Sequence, residues 1–424
     1  MVVEKQNLST RDKIIDWTFF AILLLLFSGV TLWLFHQQTL GSPERYHSDM
    51  KAYILEMQGL DSGYSFPYPI LFKLGAFFYL FTTPEFAMAL ATMVLNSGAV
   101  VITKIALHRQ SLEGLQRAWR ERREAAGKRN LCLWAPGMFI SILSVLLFLI
   151  SMIYPPDGIY LPGIRFKYLG VFTPNPFHNA TYMAARPFAI LAFLWLAKLL
   201  PEYEKGAEKK DYFLFSLFLL LATMAKPSFT IVLVGTAGLI MLYRLIRRRF
   251  KNFVPSVWMG ITFVPTFLDL LYQFKGVFVP REGAEGGIGF CLGDVWRQYC
   301  GNLPLAIGLA VGFPLLVLLC NWRELKQDSL YRLSWQLYLM SFAMAFFLYE
   351  KGFRKPDFNF SWGYMYGIFF CHMGALLVLL KATAGAGGQK NKPVVIALQW
   401  LAFFCHVVCG LLYFKNFLGG GMYY

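Results

Sequence analysis

Acidic side chains are scarce in this chain. Only 24 Asp and Glu stand against 40 Lys and Arg in 424 residues, and charged residues of both signs make up 15% of the whole. With 57% hydrophobic and 17% aromatic residues, that is too little charge to clothe soluble cores, which predicts a polytopic membrane protein. Phosphate-binding and metal motifs are missing as well. The sequence holds no Gly-Lys-Ser/Thr loop, no HExxH pair and no dinucleotide fingerprint, so NTP hydrolysis, zinc proteolysis and nicotinamide chemistry have no support in it. Histidine is limited to 6 residues and cysteine to 7. Cys132, Cys320, Cys371, Cys405 and Cys409 fall in or near apolar runs as small packing residues. Cys405, His406 and Cys409 share one helix but lack further ligands, while Cys291 and Cys300 share one loop, where an oxidising compartment permits a disulfide. The formal charge of +16 does not point to nucleic acid, because the basic residues are parcelled into short loops between apolar runs.

A bilayer core needs roughly 20 apolar residues as helix, and by that measure the chain reads as a single all-α domain, 1–424, of about eleven spans. They are expected near 14–36, 85–107, 134–154, 179–200, 211–225, 227–244, 253–273, 304–321, 332–350, 362–381 and 394–414. The run from Ile14 to Phe35 is too long for a signal-peptide core and lacks a small-residue cleavage site, so it is taken as the first span. Residues 69–82 are apolar but short. If they crossed, the loop with seven Lys or Arg between 109 and 129 would fall outside, against the positive-inside rule. Read as an interfacial or re-entrant helix, they leave 25 Lys and Arg inside and 14 outside, with Lys104 within its span. The expectation is a multi-pass protein of the plasma membrane with a cytoplasmic N-terminus, an external C-terminus and a large first external loop, 37–84, carrying interfacial helices.

Four external patches then collect the informative residues: RYHSDMKAY with a following PYP, TPNPFHNATYMAARP (173–187), VPREGAEGGIGFCLGDVWRQYCGN (279–302) and EKGFRKPDFNFSWG (350–363). Lys226 joins them from the turn between spans five and six. A lysine at a short apolar hairpin is costly unless it meets an anion or water. Within the first patch, Met50, Tyr53, Ile54 and Met57 have the spacing of one apolar helix face, so Ser48 or Asp49 also suits an N-cap. Asp61 in LDSG suits a turn.

A span, an external loop with Asp in a short amphipathic helix, a Gly-containing stretch, and Tyr-Pro opening a partial helix resemble the glycosyltransferase C superfamily of polyprenyl-phosphate-sugar-dependent membrane enzymes. The match lies in YHSDMKAYILEMQGLDSGYSFPYPILFKL and in ATMAKPSFTIVL, which is similar to the Lys-Pro hairpin of bacterial members. As motif it covers about forty residues, and the second acidic residue that many members carry beside the loop Asp is absent, since Ser48 and Met50 flank Asp49. The resemblance implies transfer of a sugar from a polyprenyl-phosphate donor to a lipid-linked or cell-surface glycan of the envelope, with membrane lipid as surroundings and no nucleic acid partner.

Such a transfer, if inverting, needs a carboxylate to take the acceptor hydroxyl proton and cations to neutralise the phosphate as it leaves. Asp49 is the candidate base. Lys226, Arg186, Arg281 and Arg354 are the candidate phosphate-binding cations, His178 a substrate contact, and Tyr68, before Pro69, part of the wall beside the lipid entrance. Each has a plainer alternative: capping for Asp49, an interfacial hydrogen bond for His178, a pair with Glu350 for Arg354. No cofactor is implied, and a divalent metal stays open. A transporter or flippase for a lipid-linked or anionic solute is the competing class. It would show inverted repeats and mid-membrane charges; no repeat is evident, and Asp269 is the one isolated carboxylate in its favour.

Overall fold

The computed structural model describes residues 10–127, 132–154, 172–277, 287–387 and 391–421, whose regular structure is helical apart from one small ribbon. In chain order the helices are α1 (Thr10–Leu40), α2 (Met50–Met57), α3 (Ile70–Tyr79), α4 (Pro84–Ala125), α5 (Ala135–Leu146), α6 (Ala180–Glu202), α7 (Lys209–Ala225) and α8 (Ser228–Arg247). The second half contains α9 (Phe253–Ile261), α10 (Val264–Val277), α11 (Asp294–Arg297), α12 (Leu303–Ala310), α13 (Gly312–Cys320), α14 (Glu324–Gln327), α15 (Ser329–Phe347), α16 (Ser361–Thr383) and α17 (Pro393–Leu418). The ribbon pairs β1 (Ile288–Phe290) antiparallel with β2 (Leu348–Glu350).

Among the described residues six helices, α1, α4, α6, α8, α16 and α17, are long and apolar enough to cross a membrane, and two bent pairs, α9 with α10 at 48° and α12 with α13 at 70°, bring the number to eight if each pair is one span. This falls short of the eleven read from sequence. The difference lies in α5 with 12 residues, α7 with 17, and α15, whose 19 residues include Arg332, Gln336 and several hydroxyls that dilute its hydropathy. Lipid-facing character is plain at the periphery. Leu25, Leu26 and Val30 on α1 and Leu398, Leu401 and Val408 on α17 are exposed, an arrangement that water would not favour.

The segment expected as the third span is not one helix. After α5, residues 147–149 close as turns onto Leu143, Val145 and Leu146, and residues 150–154 then run without helical bonding yet are almost wholly buried. Non-helical backbone at that depth must find partners within the protein. Asn175 Nδ2 donates to the Leu147 and Ile150 carbonyls at 3.2 and 2.8 Å, and the Ser151 amide donates to the His406 carbonyl at 3.2 Å. His406 Nδ1 meets the Ser151 carbonyl at 2.7 Å while its Nε2 accepts from the Phe313 amide at 3.1 Å, so the ring is a neutral brace between three elements. Gly410 lets α17 pass this segment, since a Cβ there would overlap the Leu149 carbonyl.

Around the break, α16 forms the centre, buried along nearly its whole length and packed on α4, α8, α13, α15 and α17. It lies antiparallel to α15 along a small-residue seam: Gly367 faces Ser341 and Gly374 faces Ser334, each serine bonded back to a carbonyl of its own helix at 2.8 Å. A side chain at either glycine overlaps the serine across the seam. Gly374→Val is therefore expected to destabilise by about 1–3 kcal/mol through overpacking, seen as a lower thermal midpoint of the purified protein; an unchanged midpoint would show that the helices can part there. At the far end, Asp16 ties α1 to α4 and α5, accepting from Lys104 at 2.9 Å and Ser141 at 3.1 Å, with His108 at 3.1 Å.

The residues expected to form an amphipathic helix in the first loop do so. The helix α2 starts at Met50 and buries Met50, Tyr53 and Ile54. After an Asx turn, in which Asp61 accepts from the Gly63 amide at 2.8 Å, Pro69 opens α3, which lies on α4. The basic stretch after residue 108 belongs to α4, which runs on for 42 residues because its Glu, Arg, Gln and Ala are strong helix formers.

Candidate active site

The loop before α2, the start of α6, the turn between α7 and α8, and the start of α16 meet at one end of the bundle. The meeting point is Asn179. As the N-cap of α6, its Oδ1 accepts from the Tyr182 amide at 2.9 Å. The same oxygen accepts from Thr181 Oγ1 at 2.8 Å and from Lys226 Nζ at 3.0 Å. Its amide nitrogen faces the other way, donating to Asp49 Oδ2 at 2.9 Å and to Tyr53 Oη at 3.1 Å. The chemistry fixes this orientation, because an ammonium and a backbone N–H must meet the oxygen and a carboxylate must meet the NH2.

Asp49 does not cap α2. No cap bond forms from its side chain, and the Met50 amide donates to Ser48 Oγ at 3.3 Å instead. The carboxylate accepts from Tyr53 Oη at 3.1 Å and from Asn179, and the residue is exposed, so oxygen lone pairs remain open to solvent. Tyr53 is held as a neutral donor: burial first, and the charge of Asp49 second, push its hydroxyl well above the usual tyrosine range.

Lys226 stands on the buried side of the same asparagine. It is 7% exposed, extended before Pro227, and donates to Thr181 Oγ1 at 2.9 Å as well as to Asn179. The Trp362 ring lies 4.5 Å from its ammonium. Burial pulls its pKa down to about 7, with Asp49 opposing the fall and Arg354 adding to it. A lysine so placed carries its charge at a high desolvation cost and gains most from an incoming anion.

The other candidates divide. Tyr68 is half-buried beside Phe66 and Phe72; burial chiefly and Asp49 next raise its pKa, so it too is a neutral hydroxyl at the site's edge. Arg354 lies in the turn Gly352–Asp357 and pairs with Glu350 at 3.4 Å and Asp357 at 3.6 Å, close enough to Lys226 and Tyr68 to act on both electrostatically. Asn359 Nδ2 donates to Glu350 at 2.8 Å and holds that carboxylate in place. His178 is buried against Trp362 and Phe417, and burial followed by Lys226 lowers its pKa to about 3, making it a neutral ring behind the tryptophan.

Arg186 is not brought to this network. About two turns past Asn179 in α6, the residue is 1% exposed, its guanidinium donating to the Pro174 carbonyl and to Asn175 Oδ1 at 2.5 Å amid Phe148, Tyr182 and Phe369. Its place is with the broken segment after α5. Arg281 lies outside the described residues, as does most of the glycine-rich stretch around it. Cys291 and Cys300 are free thiols. Among the described residues, no three His, Cys, Asp or Glu side chains gather as a metal site.

The sequence does not single out Thr181 or the polar role of Tyr53, whose spacing places it on an apolar face. Asn179 enters the sequence reading only within the stretch TPNPFHNATYMAARP around His178. The signal available was Asn179-Ala-Thr181 at a helix start, which reads as a cap and nothing more. Asn179→Ala is expected to cost about 0.5–2 kcal/mol from the lost cap and to free Lys226 from its fixed position by removing the oxygen it donates to at 3.0 Å. The stability change is read by thermal melting and the loss of position by donor binding; a variant that melts lower but binds donor normally would show that Asn179 serves the fold alone.

Comparison of the chain with protein-family models, with curated proteins and with solved structures gives no match.

Proposed function

We propose that this protein is an integral membrane glycosyltransferase that moves a sugar from a polyprenyl-phosphate donor onto a lipid-linked or cell-surface glycan. The observation that carries the reading is the pairing of an exposed carboxylate, Asp49, with a buried ammonium, Lys226, across a single asparagine amide. In this reading the bundle has about eleven spans and belongs to the glycosyltransferase C superfamily. The site faces the non-cytoplasmic side of the plasma membrane, where a lipid-borne headgroup can reach it.

The transfer has two charge problems and the two residues answer one each. As the acceptor hydroxyl oxygen bonds to the anomeric carbon, its proton passes to Asp49. The bond from that carbon to the phosphate oxygen breaks with both electrons, and Lys226 meets the negative charge left on the phosphate. Arg354 adds positive potential from the rim, Tyr68 offers a neutral hydroxyl, and Trp362 with His178 behind it provides a flat face for a sugar ring. Arg281 remains a candidate from the adjoining loop.

Purified protein in liposomes, offered a panel of labelled polyprenyl-phosphate sugars and a lipid-linked acceptor, is expected to place label covalently in the acceptor. Label that crosses the bilayer with its donor bond intact would overturn the enzyme reading in favour of a transporter.

A further inference from the structure

A cavity of about 1260 Å³ opens between the ends of α6, α8 and α15 and the start of α9. Its cationic end lies at the opposite end of α8 from Lys226, and α8 has 20 residues, which at 1.5 Å per residue separates the two by about 30 Å. Nothing in the transfer mechanism uses it. Its lining holds six cations, Lys205, Arg244, Arg247, Arg248, Lys251 and Arg332, and one carboxylate, Glu204, a net charge of +5.

Glu204 does not neutralise this set. It pairs with Arg248 at 3.4 Å and stands 3.7 Å from Arg244, which also donates to the Leu200 carbonyl. Arg332 turns toward the Leu325 and Lys326 carbonyls at 3.0 and 3.2 Å, and Arg247 reaches only the Tyr243 hydroxyl at 3.2 Å. Among the described residues, Arg247, Lys251 and Arg332 form no ion pair with a carboxylate. Clustered like charges around a concave wall cost energy unless an anion is present.

The rest of the lining decides what kind of anion. Leu239, Tyr243 and Leu339 are each more than half exposed, and with Ile240 and Met340 they form an apolar wall leading from the cationic end along the bundle toward its middle. A soluble phosphate compound would have no use for that wall, whereas an acyl chain would lie on it while its headgroup met the cations. We propose that this cavity binds an anionic lipid through its phosphate headgroup, and that a lipid with two phosphates binds better than a lipid with one, because five net charges exceed what a single phosphodiester can balance. The site is separate from the Asp49–Lys226 network and stands whether or not that network transfers sugar.

The test is native mass spectrometry of the full chain in neutral detergent with cardiolipin, phosphatidylglycerol or phosphatidylcholine added at equal concentration, alone and with inorganic pyrophosphate. Cardiolipin is expected to bind at least tenfold more tightly than phosphatidylcholine, with phosphatidylglycerol between them. Arg247→Gln with Lys251→Gln should reduce cardiolipin binding at least tenfold, since both residues are exposed and neither holds the fold together. Lys209→Gln with Lys210→Gln removes the same charge from the same end outside the cavity and should leave binding within twofold. Equal binding of cardiolipin and phosphatidylcholine, or equal loss in both double variants, would overturn the proposal. So would full displacement of cardiolipin by an equal concentration of pyrophosphate, which would assign the cavity to a soluble anion.

Discussion

Asp49→Asn is expected to slow sugar transfer about a thousandfold, within the range known for loss of a positioned general base, while donor affinity stays within about threefold. The geometry explains why the two effects separate. An asparagine at 49 keeps an oxygen for Tyr53 and Asn179, whose donors now meet Asp49 Oδ2 at 3.1 and 2.9 Å. The neighbouring backbone is held by Ser48 and not by the carboxylate. What disappears is the ability to take a proton. Single-turnover transfer with saturating donor, beside equilibrium donor binding, measures both quantities. Loss of binding in parallel with loss of rate would place Asp49 in holding the loop and not in the chemistry.

The second large effect concerns Lys226. Lys226→Met is expected to reduce transfer by about a hundredfold to a thousandfold, the scale seen when one preorganised charge-stabilising donor is removed. The pH dependence of the wild type carries the sharper signature. A sugar phosphodiester donor does not titrate near neutrality, so any change in its affinity there reports the protein. With the free-enzyme pKa of Lys226 pulled down to about 7 by burial, donor binding should be strongest below pH 7. It should weaken by up to about tenfold per pH unit above it, until the raised pKa of the complex is reached.

Stability should move the opposite way. Because the folded pKa lies below the usual lysine value, the cost of burying the charge is fully present below pH 7 and relieved as pH rises toward 10.5. Lys226→Met removes that cost, so at pH 6 the variant should melt no lower than wild type although it transfers poorly. A pH-independent donor affinity in the wild type would show that the ammonium does not meet the phosphate.

The sequence made some of this arrangement legible and hid the rest for physical reasons. The helix beginning at Met50 was readable because an interfacial helix buries one face, and the 3, 4, 7 spacing of Met50, Tyr53, Ile54 and Met57 records it. Asp49 and Lys226 stood out because a carboxylate before such a helix and a lysine before a proline at a hairpin are expensive where lipid is near. Their meeting through Asn179 was not readable, since no local pattern encodes a contact across 130 and 47 residues. Arg186 shows the limit of linear reading. Four residues after Tyr182 it lies one turn down the same helix, deep enough to serve the backbone around Asn175 instead of the site. The break after α5 was invisible for a related reason: hydropathy reports burial and is silent on whether the buried backbone is helical.

Cross-linking most directly tests the claim that a lipid phosphate meets Lys226 beside Asp49. A polyprenyl phosphate carrying a photoreactive group on the first isoprene, activated on the protein in liposomes and followed by peptide mapping, should label the segment around Tyr68 and the start of α16 near Trp362. The labelling should fall in Lys226→Met. Labelling confined to the other end of α8, around Tyr243 and Leu339, or labelling indifferent to Lys226, would contradict it.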